Sequence, residues 1–303
     1  MLFFERTNFG TRQNKGFGSF TIIKQIKNGK EIEVRFSNAG YKTYFSLALN
    51  NNNDWFSKYK DVSERMNLLY KAIRSGINFK NRDRTDKFYF KSLMFLYAKE
   101  VYKIQWEKKT IKEEFFPISR IHLRDGRELY FNNRLDEQKE NRPNSEPLHY
   151  STENKKLFKD LLGLSSEESW YSYRSNISKV QARQDRGRWV EESKKENIVF
   201  ERFKSPILFK PILRANDTIR VYVFLDQKSL DEAISINKDF IIKNEREQFH
   251  LSFPDSFSLN DFFNFILDTN KFNISTYVET RYQNENEYKV LEKIFDDLRT
   301  NKL

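Results

Sequence analysis

The chain has 303 residues, 38% of them apolar and 16% aromatic, so one large domain or two ordinary ones can form around cores built from rings. It has no cysteine, which removes disulfides, thiolate metal ligands and cysteine nucleophiles together and fits a reducing compartment. The formal charge of +11 is uneven: residues 226–303 carry 10 Lys and Arg against 15 Asp and Glu, which leaves +16 on residues 1–225.

A basic body with an acidic C-terminal third points to one surface for a polyanion and another for a protein neighbour. No run approaches the roughly 18 apolar residues of a membrane span, and no basic amphipathic helix with an exposed apolar stripe stands out. No membrane partner is therefore expected. The opening MLFF is too short for a signal peptide and Glu5 follows it, so the expected location is the cytoplasm. His122, His149 and His250 lie far apart, and neither a metal site nor a cofactor is expected.

Residues 18–26 (GSFTIIKQI) read as a strand. Asn28-Gly29 forms a tight hairpin turn, because both positions must accept a positive φ, and residues 31–37 alternate as the returning strand. Residues 41–49 predict a third strand, and the asparagines at 50–53 a loop. Asp61 and Glu64 form a capping box for a helix whose apolar residues Val62, Met66, Leu69, Tyr70 and Ile73 recur at helical spacing, with Gly76 closing it. Residues 88–104 predict a second, largely buried helix. Residues 106–150 are polar and mixed, with RPNSEP at 142–147 as the clearest loop. A short helix is expected over 154–162, ending at Gly163.

From about Glu196 three β-rich runs follow in succession: ENIVFERF, ILFKPIL and TIRVYVFL. Asp226 is expected to cap a helix through Ile236. Residues 239–242 and 248–253 read as strands, and 258–268 and 285–299 as helices. Strands crossed by helices, with hairpins rather than regular βαβ repeats, predict an α+β fold with an antiparallel sheet. The composition divides it into a basic region, 1–195, and a β-rich region, 196–303.

The most specific motif is Arg12-Gln-Asn-Lys15-Gly16-Phe17-Gly18-Ser19-Phe20. Gly16 and Gly18 let the backbone bend and bring N–H groups against a phosphate. Arg12 and Lys15 supply charge there, and Phe17 and Phe20 offer rings to an unstacked base. The plainer alternative is a glycine-rich hairpin whose phenylalanines face the core. Lys15-Gly16-Phe17-Gly18 matches part of the RNA-recognition-motif signature. That signature fails here, because Ser19 replaces its second aromatic and a strand, a helix and a further strand should precede it.

RQNKGFGSF resembles the glycine-rich loop of the RAMP superfamily of CRISPR systems, and FKDLLGLSS (158–166) and RFKSPILFKPI (202–212) resemble segments of its larger subunits. The resemblance implies ferredoxin-like (RRM-like) units, RNA as a partner (guide crRNA and target RNA) and sister CRISPR-associated subunits in a ribonucleoprotein complex for antiviral defence. In the family's usual order the loop comes late in a ferredoxin-like unit, whereas here it opens the chain. The same resemblance admits a metal-independent crRNA-processing endoribonuclease, and a non-CRISPR RNA-binding regulator is a more distant alternative.

Two further stretches are candidate RNA contacts. Residues 171–190 interleave five Lys and Arg, among them Arg174, Arg183, Arg186 and Arg188, with three aromatics, and Gly187 suggests a loop or hairpin. Arg74 ends the first helix, where the dipole favours a cation in any case. For catalysis, His122 and His250 read as strand residues, which leaves His149, beside Tyr150 after a loop, as the candidate general base. Replacing Arg12 and Lys15 by Ala removes charge without altering the turn. If the loop holds RNA, this pair weakens single-stranded RNA binding and leaves the melting temperature unchanged; unchanged affinity removes the loop from the site.

Overall fold

The computed structural model describes residues 19, 22, 24–34, 36–48, 54–81, 86–116, 118–122, 128–132, 155–170, 173–192, 203–214, 218–236 and 238–303. In chain order, β1 (Lys24–Lys27) and β2 (Lys30–Glu33) form a hairpin, followed by β3 (Tyr41–Ala48) and α1 (Trp55–Arg74). Next come the hairpin β4 (Ile77–Lys80) and β5 (Asp86–Phe90), α2 (Leu93–Glu100), α3 (Glu107–Phe115), and the hairpin β6 (Ile118–His122) and β7 (Glu128–Asn132). A 3-10 helix, Lys159–Leu162, precedes β8 (Glu167–Trp170), β9 (Ser175–Asp185) and β10 (Arg188–Glu191). The chain continues through β11 (Ile207–Arg214), β12 (Thr218–Leu225), α4 (Gln227–Ile236), β13 (Asp239–Lys243) and β14 (Gln248–Ser252). It ends with α5 (Leu259–Leu267), α6 (Ile274–Tyr277) and α7 (Asn286–Thr300).

These elements sort into two compact units that interleave along the sequence. One draws on Met1–Met94, Ser205–Lys228 and Ser258–Leu303, the other on Phe95–Lys204 and Ser229–Phe257. The α+β class with antiparallel sheets is as expected, although these strands do not by themselves establish a ferredoxin-like unit.

In the first unit the antiparallel sheet runs β11-β12-β3. Its inner face supplies Ile207, Phe209, Ile219, Val221, Val223, Phe45 and Leu47, all buried. Helix α7 packs on the β3 edge, where Thr43 Oγ1 donates to the Leu298 carbonyl at 2.6 Å and Asp297 accepts the Ser46 N–H at 2.9 Å. The Ser46 amide, which an edge strand would leave to solvent, and a carbonyl in the last turn of α7 are thereby satisfied. Helix α1 buries Val62, Met66, Leu69, Tyr70 and Ile73, as the helical spacing predicts, and Tyr70 meets Phe209 edge-on.

Local signals were followed unevenly. Helix α1 starts before the expected capping box, because Asp54 already caps it by accepting the Ser57 N–H at 3.0 Å; Asp61 instead pairs with Arg65 inside the helix. The helix expected over 88–104 is divided. Phe88 and Phe90 are buried with Tyr89 half-buried between them, and this period-two pattern completes a ladder with β4; only Leu93–Glu100 is helical. The helix expected over 154–162 shrinks to its last turn, because Leu157 N–H is drawn to the Ser252 carbonyl of β14. The β-rich run at 196–203 and the loop at 142–147 lie outside the described residues, apart from Phe203.

Asn28 (φ 54°) and Gly29 (φ 75°) turn the first hairpin as predicted. Gly76 (φ 80°) closes α1 by donating to the Lys71 carbonyl at 2.8 Å, and a Cβ there would stand 2.7 Å from the Phe90 carbonyl oxygen.

The second unit's sheet runs β10-β9-β13-β14, with β8 also pairing with β9. It is anchored by ions. The Lys179 side chain on β9, 1% exposed, donates to Asp160 in the 3-10 helix and, at 2.9 Å, to Glu168 on β8. Lys159 pairs with the same Glu168. Glu107, the first residue of α3, accepts the N–H groups of Phe158 (2.9 Å) and Lys159 (3.0 Å) and so caps that turn. Two lysines already balance Asp160 and Glu168, so a third buried carboxylate has no cation of its own. Burial, aided by Asp160, pushes Glu107 up to about 7. Burial also opposes the charge of Glu168, but the Lys179 and Lys159 ammoniums outweigh it and hold this carboxyl well below its usual range.

Two predictions follow from this packing. Gly76→Ala combines a positive φ with a clash against backbone and destabilises by more than about 1 kcal/mol. Gly29→Ala, with open space around its Cβ, costs less, and chemical denaturation of both variants measures the difference. The shifts at Glu107 and Glu168 act on opposite sides of neutrality. Glu107 binds its proton more tightly in the folded state, so its contribution is complete below about 4.5 and is lost as pH rises through about 7. Glu168 contributes above the usual carboxylate pKa, and that contribution is lost as pH falls below it. Glu107→Gln loses an acceptor at every pH but flattens the decline of melting temperature from mildly acid to neutral pH. An unchanged slope would show that Glu107 is not the group titrating.

Candidate nucleic-acid interface

Side chains alternate along a strand, so β12 sends Ile219, Val221 and Val223 to the core and Arg220, Tyr222 and Phe224 to the opposite face. Antiparallel pairing brings Tyr44 beside Tyr222, Ile212 beside Arg220 and Arg214 beside Thr218 on that second face. A small aromatic cluster forms there: Tyr41, Ile212 and Tyr222 are buried, with Phe36, Tyr44 and Phe224 packed against them. The Tyr44 and Tyr222 ring centroids lie 5.2 Å apart. Arg214 lies over Phe36 (5.3 Å) and Tyr222 (5.7 Å) and donates to the Tyr222 hydroxyl at 2.7 Å, while Arg220 lies over Tyr44 at 4.9 Å. Ser19 Oγ donates to the Pro211 carbonyl of β11 at 3.3 Å, so the one described residue of the glycine-rich run sits against this sheet.

In the second unit, Arg186 (φ 49°) and Gly187 (φ 80°) turn β9 into β10, so of the loop or hairpin expected around Gly187 the hairpin is found. Arg183, Arg186 and Arg188 are exposed on it, and among the described residues no carboxylate pairs with any of the three. Arg174, at φ 48°, is exposed just before β9. Beside it the Phe116 and Tyr173 rings stack at 4.4 Å and 21°, with Trp170 about equally near both at 5.9–6.0 Å and Lys112 Nζ 6.0 Å from the Tyr173 ring. The arrangement offers cations to phosphates and half-buried ring faces to unstacked bases. Arg174 and the hairpin arginines are visible in the run 171–190. Phe116, Trp170 and Lys112 join them only through tertiary packing.

Arg74 is half-buried in the last turn of α1, near Lys71, whose ammonium lies 5.4 Å from the Phe79 ring. Arg12, Lys15, Gly16, Phe17, Gly18, Phe20 and His149 lie outside the described residues. Phe56, 73% exposed, and the exposed Tyr59 alternate with Lys58 and Lys60 at the start of α1, a pairing of rings and cations that the helical pattern over 62–73 did not include.

His122 lies in β6 and His250 in β14, as strand residues. His250 Nε2 bonds Asp239 at 2.9 Å, and its ring stacks on Trp189 at 3.8 Å and 4°. Of the carboxylates around Lys179, Asp160 is 0% exposed and Glu107 2%, and both Glu107 oxygens are taken by backbone N–H groups. That cluster holds the unit together. Among the described residues no group of His, Cys, Asp or Glu could hold a metal ion, and no helix is long and apolar enough to cross a membrane.

Residues 1–77 match a family model described as the Cmr1 N-terminal domain, and residues 89–299 match one described as the Cmr1 C-terminal domain. No curated protein and no solved structure matches the chain.

Proposed function

The chain belongs to the Cmr1 family, RAMP subunits of type III-B CRISPR effector complexes, and from that premise we propose that it holds RNA within such a complex. The observation that carries this reading is the β9–β10 hairpin, where Arg183, Arg186 and Arg188 stand exposed without a carboxylate partner among the described residues. Inside this protein, cations such as Lys179 and Lys159 are matched by carboxylates. Exposed guanidiniums left unmatched on a rigid hairpin are free to take phosphates, and their planar forks suit phosphate oxygens. The half-buried rings of Phe116, Trp170 and Tyr173 near Arg174 can stack bases, and the +16 of residues 1–225 draws a polyanion to the protein. The guide RNA backbone is the ligand this chemistry suits best. The acidic C-terminal third, with a charge of −5, repels RNA and is the surface for sister subunits.

Phosphate contacts of this kind make log affinity for single-stranded RNA fall linearly with log salt, by about 0.7 per phosphate neutralised. The triple change Arg183→Gln, Arg186→Gln and Arg188→Gln reduces that slope by about 2 and weakens binding on the order of tenfold at low salt. Fluorescence anisotropy with labelled RNA over a salt series measures both. No RNA affinity in the wild type at low salt would overturn the reading, and an unchanged slope in the triple variant would remove the hairpin from the interface.

A further inference from the structure

We propose that the half-buried Arg214 and Arg220 form a pre-organised phosphate clamp on the aromatic face of the β11-β12-β3 sheet, at the rim of the buried Lys210, Ile212 and Tyr222, a site for the RNA sugar-phosphate backbone in the first unit. The inference rests on the RNA-holding reading above and locates a contact that the basic runs of the sequence do not mark.

Three observations carry it. The first is placement. Arg214 is opposite Thr218 and Arg220 opposite Ile212, so the two arginines are diagonal neighbours on one face of the β11–β12 pair. Like charges so placed repel unless something negative lies between or above them. Among the described residues neither arginine has a carboxylate partner, whereas Arg65, Arg281 and Arg299 pair with Asp61, Glu279 and Asp296. The missing counter-charge leaves both guanidiniums available to an anionic ligand.

The second observation is rigidity. Arg214 is laid over Phe36 and Tyr222 and donates to the Tyr222 hydroxyl; Tyr222 packs on Tyr44; Tyr44 carries Arg220. The ladder guanidinium, ring, ring, guanidinium fixes both forks before a ligand arrives, which removes much of the ordering cost of binding. The third is an unmet donor. Arg214 Nε is buried and lacks a hydrogen-bond partner among the described residues, a costly state that a phosphate oxygen would relieve.

Phosphate is favoured over an acidic peptide by geometry and by field. Two forks held side by side on neighbouring strands suit the phosphates of a nucleic-acid strand, and the net charge of +11 suits a continuous polyanion. Ser19, following the glycines of the motif, is bonded to Pro211 on the same sheet.

The test uses the full chain, a fluorescein-labelled single-stranded RNA and a salt series, with the hairpin triple variant run alongside. Arg214→Gln with Arg220→Gln is expected to lower the salt slope by about 1.4, two phosphates' worth, and to weaken binding at least several-fold. Arg214→Lys with Arg220→Lys keeps the charge and loses the forks and ring stacking, so its slope stays near wild type while its affinity still falls. Arg220→Gln alone makes no hydrogen bond to lose among the described residues. It therefore keeps the test readable if the double variants melt early, and is expected to lower the slope by about 0.7. If the wild type binds RNA and the hairpin variant weakens it while the sheet variants match wild type, the clamp is refuted and the RNA-holding reading stands. If the wild type binds no RNA, both fall. Sheet variants that keep RNA affinity but lose capture of an acidic peptide would assign the face to a protein partner and overturn the proposal.

Discussion

Lys179 cannot enter an apolar interior alone, and the second unit is arranged around that constraint. Its ammonium needs anions, so Asp160 and Glu168 come with it; Lys159 then balances the surplus on Glu168, and Glu107 closes the turn that presents Asp160. Four pieces of chain, α3, the 3-10 helix, β8 and β9, are thereby held in one register by charge rather than by shape alone. Removing any one partner would strand a buried charge, which is the costly case for such clusters. Strand β9 carries Lys179 at its buried base and runs on into the exposed arginines of its hairpin. The ionic anchor and the arginines proposed to meet RNA are two ends of one strand, and rigidity at one end is position at the other.

The two units treat cations in opposite ways inside and outside. Lys179 and Lys159 are satisfied by carboxylates, and the helix-surface arginines Arg65 and Arg299 by acidic residues three or four positions away. Arg183, Arg186, Arg188, Arg214 and Arg220 have no such partner among the described residues. Rings support Arg214 and Arg220 in its place. With 54 Lys and Arg against 43 Asp and Glu, some cations must remain without an internal carboxylate, and the RNA contacts proposed above fall on such residues.

The errors in reading local structure have one cause. At residues 88–104 an apolar run long enough for a helix hides a change of period, and Phe88–Phe90 become a strand because β4 lies alongside to pair with them. At 154–162 helical propensity loses to a backbone bond with β14, a partner almost a hundred residues away. Helix α1 began early because Asp54 met the same capping need as the box at Asp61, about two turns sooner. In each case a competing partner, local or distant, outbid a reasonable local signal. The first hairpin was read correctly and the second was one of two alternatives, loop or hairpin, because Asn28-Gly29 and Arg186-Gly187 satisfy their requirement for positive φ within the turn itself.

What the sequence determined by itself was therefore local or global in kind: the turns, the apolar faces of α1 and α7, the excess of positive charge and its confinement to the first 225 residues, and the motif that points to the RAMP superfamily. These depend on φ preferences, helical periodicity and summed charge, none of which needs a distant partner. The tertiary structure decided which cations are answered by carboxylates and which, among the described residues, are not. Lys179 looks in sequence like one more member of the basic run 171–190, yet it is neutralised in the core, while Arg214 and Arg220, in an apolar strand pair, are not. The difference arises from strand register, since a one-residue shift moves every side chain to the other face of the sheet. Register, in turn, is set by strands and turns that meet only when the chain is folded.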